Sequence, residues 1–248
     1  MQIQLIKINI FIVLLVQFLL LQWFLASQKS IFLGFIIVVA SAIAFNRMLK
    51  EWIFTVLPTV WLFGNLAVLY FFPNQFVVLV AVGGYFGIFL LAAKAQYSFW
   101  QAASILNIYL LTSLIWFFIL AQALDFILGL IFISVGTGLL FFQSMLITRR
   151  AGEFVNIKNK IQITTVSLGV SMGLAETAWA ISFLPFGYFI LGALFTVVFG
   201  AVLNIISSYY KVSSTDPETF KKIVTRSVIL AFVFIIIFVT ISPWLPQK

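Results

Sequence analysis

The sequence predicts an all-α protein, a polytopic transmembrane helical bundle of about nine spans with its N-terminus in the cytoplasm and its C-terminus outside. Of its 248 residues, 64% are hydrophobic and 8% are charged, whereas soluble domains carry about 25% charged residues. The mean hydropathy is +1.21. The apolar residues are grouped in runs of about 18 residues or more, the length that spans a bilayer. The third observation is the placement of the cations.

Basic residues fall on one side of these runs. When the connections are assigned alternately to the two sides of a membrane, only Lys29 and Lys248 of the 14 Lys and Arg residues lie on the second side. An excess of Lys and Arg is typical of cytoplasmic loops. The basic side is therefore predicted to be cytoplasmic, and it holds Lys7, Arg47, Lys50, Lys94, Arg149, Arg150, Lys158, Lys160, Lys211, Lys221, Lys222 and Arg226.

The predicted spans form one transmembrane domain over residues 1–248. Each is long enough, or nearly so, to cross about 30 Å of hydrocarbon at about 1.5 Å per residue. The first is interpreted as a retained signal anchor, because its apolar stretch of about 19 residues exceeds the length usual in cleaved signal peptides. The second is the shortest, and its full crossing is left open. In order, the spans are 8–26, 30–46, 52–72, 75–93, 100–121, 124–147, 162–183, 186–206 and 227–245.

Short connections on the outer side pair successive spans. They lie around Lys29, Pro73, Gln122 and Pro185, and links this short predict antiparallel helical hairpins. Asp125, at the start of the sixth span, is of a residue type that caps helices. Longer basic connections on the other side separate the hairpins.

A helix start is also predicted ahead of the ninth span. Asp216 is a suitable N-cap, and Pro217 is favoured at the first helical position. The apolar residues Phe220, Ile223 and Val224 then share one face, and the cations lie elsewhere. The segment is interpreted as an amphipathic lead-in at the membrane interface, with a docking site for a soluble partner as the alternative.

Glu176 is the one carboxylate that these spans place inside the hydrocarbon. Gly169, Gly173, Glu176 and Ala180 fall on one stripe of the seventh span, and the two glycines form a small-xxx-small motif of the kind that packs helices closely. Because an ionisable side chain in the membrane is costly, Glu176 is expected to face the bundle interior. Two roles stay open for it: a structural hydrogen bond between helices, or proton or solute coupling.

Three polar residues on other spans, Asn65, Gln17 and Ser134, reach similar depths and are the expected hydrogen-bond partners of Glu176. Gly136 and Gly138 in the sixth span indicate a second position of close helix packing.

Other features concern packing, with a substrate path as the alternative for the glycines of the fourth and sixth spans. Gly83 and Gly84 in the fourth span also indicate close packing. Trp61, Trp116 and Trp179 lie deeper than the headgroup level that indole rings favour, so they are expected to pack in the bundle.

The inventory of reactive residues argues against an enzyme. The chain has no Cys and no His, which excludes thiol nucleophiles, Ser–His hydrolases and His-ligated metalloproteases. No second intramembrane acid is available for a paired-carboxylate protease. No catalytic residue, cofactor or metal is predicted, and only an enzyme that uses Glu176 and hydroxyl groups is left open.

The segment Glu176–Gly187, ETAWAISFLPFG, resembles a segment of uncharacterised multi-span membrane proteins of small-genome bacteria. The resemblance implies a bacterial cytoplasmic (inner) membrane and no particular substrate. It also implies that Glu176, Trp179 and Pro185 contribute to one role of the protein.

The function expected from these features is that of a non-enzymatic scaffold or accessory membrane component. The alternative is a transporter or flippase-like protein for a small or amphiphilic substrate, with Glu176 as its protonatable group. The expected partners are anionic lipids at the cytoplasmic face and either a membrane protein or a second copy of the chain. Nucleic acid is not expected, because the cations lie in short connections beside the spans.

Overall fold

The computed structural model describes residues 2–26, 31–49, 52–71, 73–93, 99–152, 154, 160–211 and 217–242. Within these ranges it contains nine α-helices and a 3₁₀ turn at Trp52–Phe54, and no strand. The helices are α1 (Gln2–Ala26), α2 (Ile31–Leu49), α3 (Val56–Phe71), α4 (Gln75–Ala93), α5 (Trp100–Leu120), α6 (Phe126–Arg150), α7 (Lys160–Ile181), α8 (Tyr188–Lys211) and α9 (Pro217–Ile241).

The helices coincide with the predicted spans one for one, so the all-α class is confirmed. Four of the described helices, α5, α6, α8 and α9, are long and apolar enough to cross a membrane. Helices α1 to α4 carry shorter apolar stretches, and α7 is in neither group. The number of crossings and their orientation stay predictions.

The chain contains two compact units, Met1–Ala103 (unit 1) and Ser104–Lys248 (unit 2). They are described separately. The assignment of residues 1–248 to one transmembrane domain stays a prediction.

Unit 1 packs α1 to α4 around a core of large apolar side chains. Leu21 and Phe24 of α1 meet Ile37 of α2 in a cluster that is completed by α3 and α4. Burial of such side chains contributes most of the packing energy when helices associate. The remaining members of the cluster are Leu33, Leu66, Leu69, Val78 and Ala81.

The tightest helix contact in unit 1 joins α3 to α4. The indole Nε1 of Trp61 donates a hydrogen bond to the carbonyl oxygen of Ala81 at 2.9 Å. The Trp61 ring lies against Gly84, where a Cβ atom would come within 2.1 Å of Cζ2. Only glycine fits at this position without displacing the ring.

In unit 2, α5 packs against α6 and α8. A Cβ added to Gly192 of α8 would lie 2.9 Å from the Cα atom of Ser113 on α5. A Cβ added to Gly136 of α6 would lie 2.4 Å from a methyl group of Leu111 on α5. These distances show that glycine lets the helices approach at both contacts.

Two predicted helix starts are found. The carboxylate of Asp125 accepts hydrogen bonds from the backbone N–H groups of Ile127 at 2.9 Å and Leu128 at 3.3 Å, so the predicted cap of α6 is confirmed. Pro217 is the first residue of α9, as predicted. Its predicted N-cap, Asp216, lies outside the described residues.

The contact between Trp61 and Gly84 predicts a position-specific effect. Gly84→Ala should destabilise the protein by about 1–3 kcal/mol, because the added methyl group overlaps a ring that is itself hydrogen-bonded. Gly83→Ala is the matched control, since nothing lies within 4 Å of its added Cβ. Its stability should be unchanged or raised by up to about 1 kcal/mol through helix propensity. Unfolding in detergent measures both, and equal stability of the two variants would contradict the contact.

Candidate functional site

The four residues predicted to form one polar site are divided between the two units. Gln17 lies on α1 and Asn65 on α3 in unit 1, and Ser134 lies on α6 and Glu176 on α7 in unit 2.

Ser134 bonds to α7, but to Ser171 and not to Glu176. The two hydroxyl oxygens lie 2.9 Å apart, and the Ser171 hydroxyl also donates to the carbonyl oxygen of Ser134 at 2.7 Å. Gly138 lies beside this pair, because a Cβ at its position would be 2.9 Å from the Ser171 Oγ atom. Small residues and paired hydroxyls therefore join α6 to α7 within unit 2.

The Glu176 stripe faces outward. Glu176, Gly169, Gly173 and Ala180 are all exposed, and a Cβ added to either glycine would meet no atom of the described residues within 4 Å. This differs from the expectation that the stripe faces the bundle interior and packs there. Within the part of the chain that the structure describes, no hydrogen bond or ion pair to the Glu176 carboxylate is found.

The inward face of α7 explains the difference. It buries Ser167, Ser171, Leu174 and Ala178, so small residues recur at four-residue spacing on this face as well as on the stripe. Both faces allow close approach of another helix. The inward face packs against α6, because there the hydroxyl group of Ser171 bonds to Ser134.

We call the exposed surface of α7 the α7 outer face. It combines the Glu176 stripe with large apolar side chains at its edges; Met172, for example, is 69% exposed. Trp179, which was expected to pack in the bundle, is also exposed, with its ring 5.2 Å from that of Phe183. The members of the face are Leu168, Gly169, Met172, Gly173, Glu176, Trp179 and Ala180.

The two polar residues of unit 1 are buried. Asn65 donates from Nδ2 to the carbonyl oxygen of Trp61 at 2.7 Å, so its bond lies within its own helix. Gln17 is 2% exposed, and neither polar atom of its amide has a hydrogen-bond partner among the residues that the structure describes. A buried amide without partners is costly, by roughly 1–3 kcal/mol on protein mutational scales.

A further set of buried polar residues in unit 2 was not predicted from the sequence, because the prediction of a site concentrated on the ionisable side chain of Glu176. Ser104 of α5 accepts a hydrogen bond from Ser144 of α6 at 3.0 Å, and Asn107 is buried one turn further along α5. The signal in the sequence was the spacing of Ser104 and Asn107 within an apolar run, which puts both on one face of a helix.

Comparison of the chain with protein-family models, with curated proteins and with solved structures finds no match.

The bond between Ser134 and Ser171 predicts a measurable coupling energy. Ser134→Ala and Ser171→Ala should show a coupling of about 0.6 kcal/mol, the average for hydrogen bonds between membrane helices. A double-mutant cycle on unfolding in detergent measures this energy. Ser167 provides the matched control, because its hydroxyl donates within α7, to the carbonyl oxygen of Ile163 at 2.7 Å. Ser134 and Ser167 should show no coupling, and equal coupling in the two cycles would contradict the pairing.

Proposed function

We propose that this protein is a nine-span membrane scaffold, without enzymatic activity, that works by lateral contact between helices. In this proposal it lies in a bacterial inner membrane with its N-terminus in the cytoplasm and its C-terminus outside, the orientation that the distribution of its cations favours. The observation that carries the scaffold role is the uncovered α7 outer face.

The polar residues of α7 support a contact between its exposed side and another helix in the membrane. Its exposed side carries Gln162 and Thr165 in addition to Glu176, and α7 is not among the described helices apolar enough to span by themselves. A charged side chain costs about 2.5–3.5 kcal/mol at the centre of a lone membrane helix on insertion scales, and less towards the end of the helix, where Glu176 lies. A facing helix that covered Glu176 would remove part of this cost.

We propose that a second copy of the chain supplies this facing helix. In a two-fold dimer the same patch of each copy meets the other, so Glu176 meets its own counterpart at the same depth. A protonated carboxyl group both donates and accepts hydrogen bonds, so two such groups satisfy each other. Gly169 and Gly173 have no side chains to hold the two backbones apart.

The transporter or flippase-like alternative places Glu176 in a cavity inside the protein, where it binds and releases protons. The outward orientation of Glu176 and the pairing of Ser134 with Ser171 favour lateral contact over an internal pathway. The expectation that the protein has no catalytic residue, cofactor or metal stays a prediction.

Disulfide cross-linking tests the proposed contact, since the chain has no Cys of its own. Ala180→Cys in native membranes should give a disulfide-linked dimer on oxidation, because disulfides form only between Cα atoms closer than about 7 Å. Ala178→Cys is the matched control, since Ala178 is also an alanine of α7, two positions before Ala180, and is 0% exposed. It should stay monomeric.

Two further variants separate the proposal from its rivals. Gly173→Leu should abolish the Ala180→Cys dimer, whereas Gly83→Leu on α4, also exposed, should not. Glu176→Gln should keep the dimer, because an amide also donates and accepts. A cross-link from Ala180→Cys to a different protein would show that a partner protein, and not a second copy of the chain, covers this face. The absence of any cross-link would refute lateral contact through this face.

A further inference from the structure

Four aromatic rings connect the ends of three helices in unit 2. The ring of Phe154, just beyond α6, lies 5.9 Å from that of Tyr210 at the end of α8. The ring of Tyr209 lies 5.1 Å from Tyr210 and 5.6 Å from Phe220 in the first turn of α9. The end of α6, the end of α8 and the start of α9 are therefore held close together.

Each of these helix ends carries cations. Arg149 and Arg150 end α6, Lys211 ends α8, and three cations lie in the first three turns of α9. Glu218 is the acidic side chain that the structure describes beside them. We call the four rings and the cations the basic-aromatic surface; its members on α9 are Phe220, Lys221, Lys222 and Arg226.

The cations of α9 have a fixed orientation. Phe220, Ile223 and Val224 are half-buried, whereas Lys221, Lys222 and Arg226 are exposed. One residue further along, the Ser227 hydroxyl accepts a hydrogen bond from Nδ2 of Asn204 on α8 at 2.7 Å. This is the amphipathic lead-in that the sequence predicts, and its docking on α8 turns the cations outward.

The basic-aromatic surface lies beside an apolar one. Directly after Ser227, the exposed side chains of α9 become Val228, Ile229 and Leu230. Tyr209 is 56% exposed and lies beside Phe220, about two turns of α9 before Ser227. Aromatic rings with a polar tip favour the headgroup level of a membrane. If the apolar side chains face lipid tails, the cations lie at the height of the phosphates.

We propose that the basic-aromatic surface binds the phosphate headgroups of anionic phospholipids. Arg and Lys pair with phosphate oxygens through charge-assisted hydrogen bonds, and the aromatic rings, which lie beside Phe220 at the level of Lys221 and Lys222, contact the headgroups. A nucleic acid is the less suitable ligand, because it would have to bind beside a hydrocarbon-facing helix surface. This proposal does not depend on dimerisation through α7.

The test uses the full-length protein in vesicles of phosphatidylcholine with and without phosphatidylglycerol, and it measures lipid binding by native mass spectrometry after extraction. The variant K221Q/K222Q/R226Q should lose roughly hundredfold in its preference for phosphatidylglycerol, since each basic residue near an anionic surface contributes roughly fivefold. The control K7Q/R47Q/K50Q removes the same charge from unit 1, outside the basic-aromatic surface, and should lose much less of the preference. The preference should also weaken with salt, because exposed charges are screened.

A second variant leaves every charge in place. Tyr209→Leu removes the ring that joins Tyr210 to Phe220, and it should weaken the preference for phosphatidylglycerol severalfold. Equal losses in the two triple variants would show a response to net charge alone and would overturn the proposal. So would an absent preference for phosphatidylglycerol, full competition by inorganic phosphate, or displacement of the lipid by RNA.

Discussion

The structure depends on the cost of leaving a polar group without a hydrogen-bond partner in an apolar environment. The backbone meets this demand by forming helices throughout the described ranges. Many hydroxyl side chains meet it within their own helix, by donating to the carbonyl oxygen four residues earlier. Examples are Thr112, Thr137, Thr148, Ser167 and Thr196. The exceptions are informative, since a polar side chain without such a partner either bears this cost, as the buried Gln17 does among the described residues, or is satisfied by another group.

Glu176 is the exception with consequences for function. Helix α7 has two faces suited to close packing, and the face of Ser167 and Ser171 is already used against α6. The second face remains uncovered and carries the carboxylate. A scaffold that assembles through this face explains why small residues and a protonatable group occur together. A lipid-facing position explains neither of them, because lipid gains nothing from glycine and is a poor solvent for carboxylate.

The sequence predicts the helices well and their rotation poorly. Apolar runs, the Asp125 cap and Pro217 locate helix bodies and starts because these signals are local. The rotation of α7 about its axis depends on a residue that is distant in sequence. Gly169 and Gly173 indicate one packing face, and Ser167 and Ser171 indicate another. The position of Ser134 on α6 decides between them. For the same reason the sequence does not show that Ser134, one of the three expected partners of Glu176, bonds to Ser171. The buried pair of Ser104 and Ser144 also requires knowledge of how α5 and α6 meet.

A facing helix would exclude both lipid and water from the α7 outer face in the membrane. Collision rates of a spin label attached to Leu168→Cys, on the edge of this face, measure that cover in protein reconstituted into lipid bilayers. Ile229→Cys on α9 is the lipid-facing reference, since both side chains are exposed to a similar extent within one chain, 61% and 56%. If protein covers the face, collision rates at Leu168 should be low with both oxygen and a water-soluble nickel chelate, and the rate with oxygen at Ile229 should be high. An oxygen collision rate at Leu168 as high as that at Ile229 would mean that the face is in contact with lipid and that no facing helix covers it.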